Sequence, residues 1–386
     1  MLVPVLVATL LGGWLLWPTG ERPTLATTQP GTTFLTVTVT AVDATAADPS
    51  EQVTARLSDG TQAGVQVPPE YLDVLHPGDR LRVVHIPEAA TGGGSPYVFA
   101  DLVRGPPLAL LAVVFAVLVV AVARWRGLAA LVGLGVALAV VGGFTLPALL
   151  LGRPAVPVAL VSASAIMFVV LYLAHGLTVR TSTALVGTLV GLVATAAIAA
   201  WASGAAHLTG LSGEYALDLR DIAPDVSLGD VLLCGMVLAG LGVLNDVTIT
   251  QASAVWELHA ADPAASWGRL FSRGMRIGRD HIASTVYTIV FAYLGASLPL
   301  VLLVSVSDRS LLDSLTSGEI AEEVARTLVG SIGLVLAIPF TTAVAATAVR
   351  SVAARGVAVP PAEAPPEGSS AGAAGQADEP ALHRLA

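Results

Sequence analysis

The sequence has no lysine, a single cysteine and few charges of either sign. Charged residues make up 12% of its 386 positions, against about 25% in a typical soluble domain. So few charges cannot cover the water-facing surface of a chain this long, which excludes an ordinary soluble globular protein. All 19 basic residues are arginine. A Gly-x-x-x-x-Gly-Lys-Ser/Thr phosphate loop is therefore absent, and ATP hydrolysis through one is excluded. The lone Cys234 leaves no intramolecular disulfide and no cysteine zinc cluster, and it reads as a small apolar packing residue. There is no His-Glu-x-x-His zinc run, and no Gly-x-Gly-Asp paired with a second deep aspartate. Aromatic residues are 5% and the net charge is −9, so a basic, aromatic-interleaved nucleic-acid footprint is missing too.

What the sequence does contain is apolar and blocked. Hydrophobic residues reach 54% and the mean hydropathy is +0.77. They fall in runs of about 17 to 25, the length that crosses a hydrocarbon core roughly 30 Å thick. Segments 107–123, 127–146, 156–174, 183–203, 230–250, 282–304 and 324–348 each read as a transmembrane helix. A further apolar block, Met1–Trp17, stops at Pro18 and reads as an anchor helix or a signal peptide. No basic residue precedes Arg22, which favours the anchor. The expected class is thus an α-helical polytopic membrane protein with about eight spans.

Between the first block and the rest the period changes to two. Phe34-Leu-Thr-Val-Thr-Val-Thr-Ala-Val42 alternates threonine with apolar residues, the pattern of a half-buried strand. Shorter runs follow at 52–57, 63–67, 81–86 and 97–103, separated by Asp59-Gly60, Pro68-Pro69, Pro77-Gly-Asp79 and Gly92-Gly-Gly94. Five short strands in this space suggest a small β-rich, OB-like domain over residues 30–104. The resulting division is an anchor at 1–17, this domain, a seven-helix region at 106–349, and a Pro/Ala/Gly/Ser/Glu-rich tail at 355–386 that reads as disordered.

Arginine bias sets the expected orientation. With the N-terminus inside, cytoplasmic loops hold Arg124, Arg126, Arg180, Arg269, Arg273, Arg276, Arg279, Arg350 and Arg355, against Arg153, Arg220, Arg309 and Arg326 on the outer side. That places the β-domain outside and both termini in the cytoplasm. The Ala/Val/Gly/Pro richness without lysine looks like high-GC bacterial codon usage, and so points to a bacterial plasma membrane.

Polar residues that lipid does not tolerate cluster in two stretches. Asn245 and Asp246 interrupt an apolar segment, and Thr250 and Ser253 lie four and seven residues beyond Asp246 on the same helical face, which Glu257 continues. An ionisable group within a span costs about 2.5–3.5 kcal/mol on insertion scales and so normally faces protein or a wet cavity. The bland alternative puts Asp246 at the membrane boundary, hydrated or paired with a loop arginine. The second stretch, Gly274-Met-Arg-Ile-Gly-Arg-Asp-His281, brings Arg276, Arg279 and Asp280 to the mouth of the next segment, as a gate, an ion pair with Asp246, a site for an anionic substrate or lipid head group, or mere topogenic charge. Thr285 and Thr288 then line a polar seam or bond to their own helix backbone. The outer run Glu214, Asp218, Asp221, Asp225 and Asp230 reads as a solvated loop, and Glu322 stands at ion-pair spacing from Arg326.

These same residues carry a resemblance. Leu238-Ala-Gly-Leu-Gly-Val-Leu-Asn-Asp246 through Gln251-Ala-Ser-Ala-Val-Trp-Glu257 resembles the YibE/F family of bacterial membrane proteins. So do Gly274-Met-Arg-Ile-Gly-Arg-Asp280, Tyr293-Leu-Gly-Ala-Ser-Leu-Pro299, Glu319-Ile-Ala-Glu-Glu-Val-Ala-Arg326 and Gly330-Ser-Ile-Gly-Leu-Val-Leu-Ala-Ile-Pro339. The resemblance covers about 108–350 and implies a multi-pass, permease-like protein with no established substrate. His281 and Asn245 depart from the family pattern.

Two functions follow as expectations. One is a permease for a small solute or ion, with Asn245, Asp246, Thr250, Thr285 and Thr288 lining a cavity. The other is a non-transporting envelope scaffold or sensor whose β-domain binds a partner. No enzymatic role, metal or cofactor is expected; the neighbouring Ser284 and His281 alone do not make a catalytic pair. The expected partners are the lipid bilayer, the solute, and a second copy or related membrane protein.

Overall fold

The computed structural model describes residues 2–21, 31–46, 48–86, 95–213, 215–308 and 310–354. The tail read as disordered, Arg22, Glu214, Arg309 and Arg355 lie outside the described residues. Two compact units emerge, one of residues 16–153 with 213–228, the other of 1–15, 154–212 and 229–386.

The first unit begins with five strands: β1 (Thr33–Val42), β2 (Val53–Arg56), β3 (Gln62–Gly64), β4 (Arg80–His85) and β5 (Tyr97–Leu102). They form one antiparallel sheet in the order β3-β2-β1-β4-β5. The long β1 is central because its Thr–Val alternation offers one apolar face to both neighbours. It pairs from Thr33↔His85 to Thr38↔Arg80 on one side, and from Thr38↔Arg56 to Val42↔Val53 on the other, with a bulge between Val39 and Ala41. Just past β3, Gln66 bonds in parallel to β5: its N–H donates to the Tyr97 carbonyl and its carbonyl accepts from Phe99, both at 2.9 Å. This bridge joins the two ends of the sheet into a closed barrel. Val37, Val39, Val53, Val65, Leu81 and Val83 fill it, and Leu72 and Leu75, after a short 3-10 turn at Pro69–Tyr71, plug one end.

The barrel leads into α2 (Gly105–Val140), a π-turn at Val141–Thr145 and α3 (Leu146–Leu150). Arg124 breaks α2 with φ 53° and ψ −130°. Beyond it Gly127 comes against the Val119 carbonyl, eight residues back, where a straight helix would hold them about 12 Å apart. The chain therefore folds back at Arg124 as a helical hairpin, and only a residue without Cβ fits at 127. This reversal falls between the segments read from sequence as 107–123 and 127–146.

The second unit comprises α1 (Leu2–Leu15), α4 (Ala155–His175), α5 (Val179–Ala205), α7 (Leu228–Ala261), α8 (Trp267–Ala296), α9 (Leu298–Ser305), α10 (Leu311–Leu315) and α11 (Gly318–Ala354); a short α6 (Ala216–Ile222) belongs with the first. Five segments are long and apolar enough to cross a membrane: 105–150, 155–175, 179–205, 228–261 and 318–354. A sixth arises if α8 and α9, bent by 73° at Ser297, count as one. The sequence reading made that stretch a single span from 282; instead the helix begins at Trp267 and breaks before Pro299, whose ring cannot continue a helix's hydrogen bonding.

Helices α5, α7 and α11 approach closely through glycine. A Cβ on Gly187 or Gly333 would overlap Thr341 or Thr195, and one on Gly191 would press on Leu244 and Ala337 at 2.8 and 2.9 Å. The threonines tolerate burial because each hydroxyl returns to its own helix: Thr195 to the Gly191 carbonyl (2.8 Å), Thr341 to Ala337 and Thr342 to Ile338 (both 2.7 Å).

Candidate functional site

α7 carries the first polar stretch. Asp246 lies 18 residues after Leu228 and 15 before Ala261, so about 27 and 22 Å from the helix ends at ~1.5 Å per residue. The sequence reading set it late in the helix; the helix in fact continues eleven residues past Thr250, which makes Asp246 nearly central. Asp246 and Glu257 are exposed, with Thr250 and Ser253 half-buried between them, so the four do share one open face. The Thr250 hydroxyl donates to the Asp246 carbonyl at 2.6 Å. Asn245, on the adjoining side, has its Oδ1 buried without a hydrogen-bond partner among the described residues.

The opposite side of α7 is locked into the bundle. Thr248 and Thr188 share a hydrogen bond at 2.6 Å between α7 and α5. One turn on, the fully buried Gln251 donates from Nε2 to the Gly274 carbonyl (2.8 Å) on α8 and to Thr342 Oγ1 (2.7 Å) on α11. Thr342 spends its own proton on Ile338, so both partners are acceptors and the amide orientation is fixed. Its Oε1 has no hydrogen-bond partner among the described residues and faces Gly278, where an added Cβ would sit 3.3 Å away. Gln251 thus clamps three helices. Sequence reasoning passed over it because an uncharged side chain raised no cost; the available signal was a long amide in one apolar helix with Gly274 and Gly278 spaced four apart in another.

The remaining candidates are less converged. Thr285 is half-buried and Thr288 exposed, its hydroxyl donating to the Ser284 carbonyl at 3.2 Å. Arg276, Arg279 and Asp280 are exposed on α8, and neither arginine forms an ion pair with Asp246 among the described residues. At the other end of the bundle, Arg326 pairs with Glu323 rather than Glu322. Glu322 is buried and accepts the Gly210 N–H at 3.0 Å, tying the loop after α5 to α11.

A groove of about 510 Å³ among α1, α4 and α5 is lined by Leu2, Val5, Leu160, Val186, Leu189 and Val193, with Ser164 as its one hydroxyl. Among the described residues no three His, Cys, Asp or Glu side chains converge as metal ligands. In the barrel, Asp43, Asp48 and Asp59 each accept a hydroxyl and a backbone N–H from two residues on: Thr45, Ser50 and Thr61. Those bonds, the hydroxyl first, hold the three carboxyls below the ordinary carboxylate range.

A barrel joined to a helical hairpin, and a helix bundle lined with glycine and threonine and bearing an aspartate on an apolar helix, define the class: a largely helical protein with membrane-length apolar helices. Residues 111–351, more than half of the chain, match the YibE/F-like protein family, and the chain belongs to it. The match begins inside α2 and leaves out the barrel and α1. No curated protein and no solved structure matches the chain.

Proposed function

We propose that the chain is a multi-pass protein of a bacterial plasma membrane, with about eight spans, both termini in the cytoplasm and an OB-like barrel outside. Its bundle acts as a permease for a small solute or ion and has no catalytic role. One observation carries this reading: Asp246 is exposed near the centre of a long apolar helix whose other faces are packed. Lipid rejects a carboxylate there, so the open face borders water or a transported species. Asn245, with its orphan Oδ1, and Thr250 supply neutral polar groups beside it on α7, and the proposed path would add Thr285 and Thr288 of α8. The barrel's strand order and its closing parallel bridge support the OB-like assignment. Purified protein in sealed vesicles tests the transport role: Asp246→Asn should abolish flux of the transported ion or solute while leaving helix content unchanged. Flux equal to that of the unaltered protein would remove Asp246 from the mechanism.

A second reading, an envelope scaffold or sensor, is favoured by the family match stopping short of the barrel. It predicts that deleting residues 30–104 abolishes capture of an envelope partner, and that the intact protein gives no flux.

A further inference from the structure

Four arginines stand on the first half of α8, and they fall into two unlike pairs. Arg269 and Arg273 both reach Asp262 Oδ2, at 3.6 and 3.1 Å. Arg276 and Arg279 are exposed and have no ion-pair partner among the described residues. The packing of α8 does not use them, since its buried side is Leu270, Gly274, Gly278 and Ile289.

At 3.6 residues per turn, positions 276, 279, 283, 287, 290 and 294 share one side of the helix. Ala283, Tyr287, Val290 and Leu294 are all exposed. The face therefore opens with two guanidinium groups and continues apolar from 283 to 294. That stretch covers about 16 Å at ~1.5 Å per residue, close to half of a ~30 Å hydrocarbon core. Just beyond it the helix ends and the chain bends by 73° into α9. A cationic head followed by one leaflet's depth of apolar surface has the polarity order of a phospholipid.

We propose that this face of α8 binds an anionic phospholipid of the inner leaflet, with its phosphate between Arg276 and Arg279 and an acyl chain along Ala283 to Leu294. Side chains three apart on a helix stand about 5–6 Å from each other at Cβ, a spacing at which two guanidinium forks grip one phosphate. A zwitterionic headgroup brings its own cation to its phosphate; a net-anionic one leaves that charge for the protein. The inference rests on the membrane reading above and is independent of transport by Asp246.

The test is lipid retention by the full-length protein in neutral detergent, measured by native mass spectrometry with equimolar phosphatidylglycerol and phosphatidylcholine of identical chains. Two interfacial arginines should favour the anionic lipid by about tenfold or more. The Arg276→Gln/Arg279→Gln pair should bring the ratio to within about twofold, at unchanged elution volume and melting temperature. Should that pair fail to fold, a salt titration of the unaltered protein reads the same contact, because the preference must fall as salt rises. Equal retention of both lipids, a preference that survives the glutamine pair, or one insensitive to salt would each overturn the proposal. Displacement of the lipid by equimolar glycerol phosphate would overturn it in favour of a soluble phosphate ligand. A protein that never enters the membrane fraction fails the membrane reading itself; one that enters and shows no lipid preference fails only this inference.

Discussion

The barrel and the helix bundle differ in the polarity of what they bury and of what they expose. The barrel hides valine and leucine, and no polar side chain of residues 31–86 is among those buried. Its threonines and aspartates face outward or settle into turns. The bundle buries apolar side chains too, Leu171, Leu185, Leu244 and Leu334 among them, but mixes hydroxyl and amide groups with them. Its interior holds Ser162, Thr188, Thr195, Thr248, Gln251, Thr341 and Thr342, while Val169, Val193, Tyr287, Phe291, Ile332 and Phe340 point out. On the membrane reading proposed above, each region places outward what its surroundings solvate, water for the barrel and lipid for the bundle. Water drives apolar groups into the barrel. On the same reading, lipid offers no such drive between helices, and close backbone approach at glycine and hydrogen bonds between polar side chains hold the bundle.

The largest effect expected from breaking that comparison comes from one change made in both regions. Val193→Arg, on an exposed face near the middle of α5, should cost about 2.5–3.5 kcal/mol of membrane insertion, read as loss of the protein from the membrane fraction. Val74→Arg, equally exposed on the barrel, should change stability by no more than about 0.5 kcal/mol. A smaller effect is expected at the glycine seam. Gly333→Val would overlap Thr195, which is fixed by its bond to Gly191, and should destabilise the bundle by about 1–3 kcal/mol in thermal melts in detergent, leaving barrel strand signals intact.

The smallest effect is acid sensitivity confined to the barrel. Asp43, Asp48 and Asp59 have folded-state pKa values below their unfolded ones. The stability they contribute is present above the unfolded carboxylate range and is lost as pH falls through the lower folded values. Because all three are at the surface, the loss below about pH 4 should be slight, and replacing all three with Asn should remove it in pH-dependent melts of the barrel signal.

Much of this architecture was legible in the sequence, for identifiable reasons. The Thr–Val alternation of β1 and the Gly and Pro turns place each strand within three residues of its observed end, because period and punctuation are local. Apolar runs locate the helices for the same reason. Their lengths were hidden. α7 and α8 run well past their apolar windows, since Val255, Trp256 and Leu270 pack there against Ala345 and Val349 of α11 among polar neighbours, and hydropathy averages that pattern away. Asp246 drew notice through its charge, whereas Gln251 and the two glycines it faces on α8 became visible only when three helices met. The exchange of Glu322 for Glu323 as partner of Arg326 was equally hidden, because Gly210, which claims Glu322, lies 112 residues away.

The two-solvent account is tested most directly by labelling in sealed right-side-out vesicles with a membrane-impermeant maleimide, in a Cys234→Ala background. Cysteine placed at Val74 should label rapidly and cysteine placed at Val193 should not, although both side chains are exposed in the folded chain. Equal labelling at the two positions would contradict the claim that lipid covers the helices while water covers the barrel.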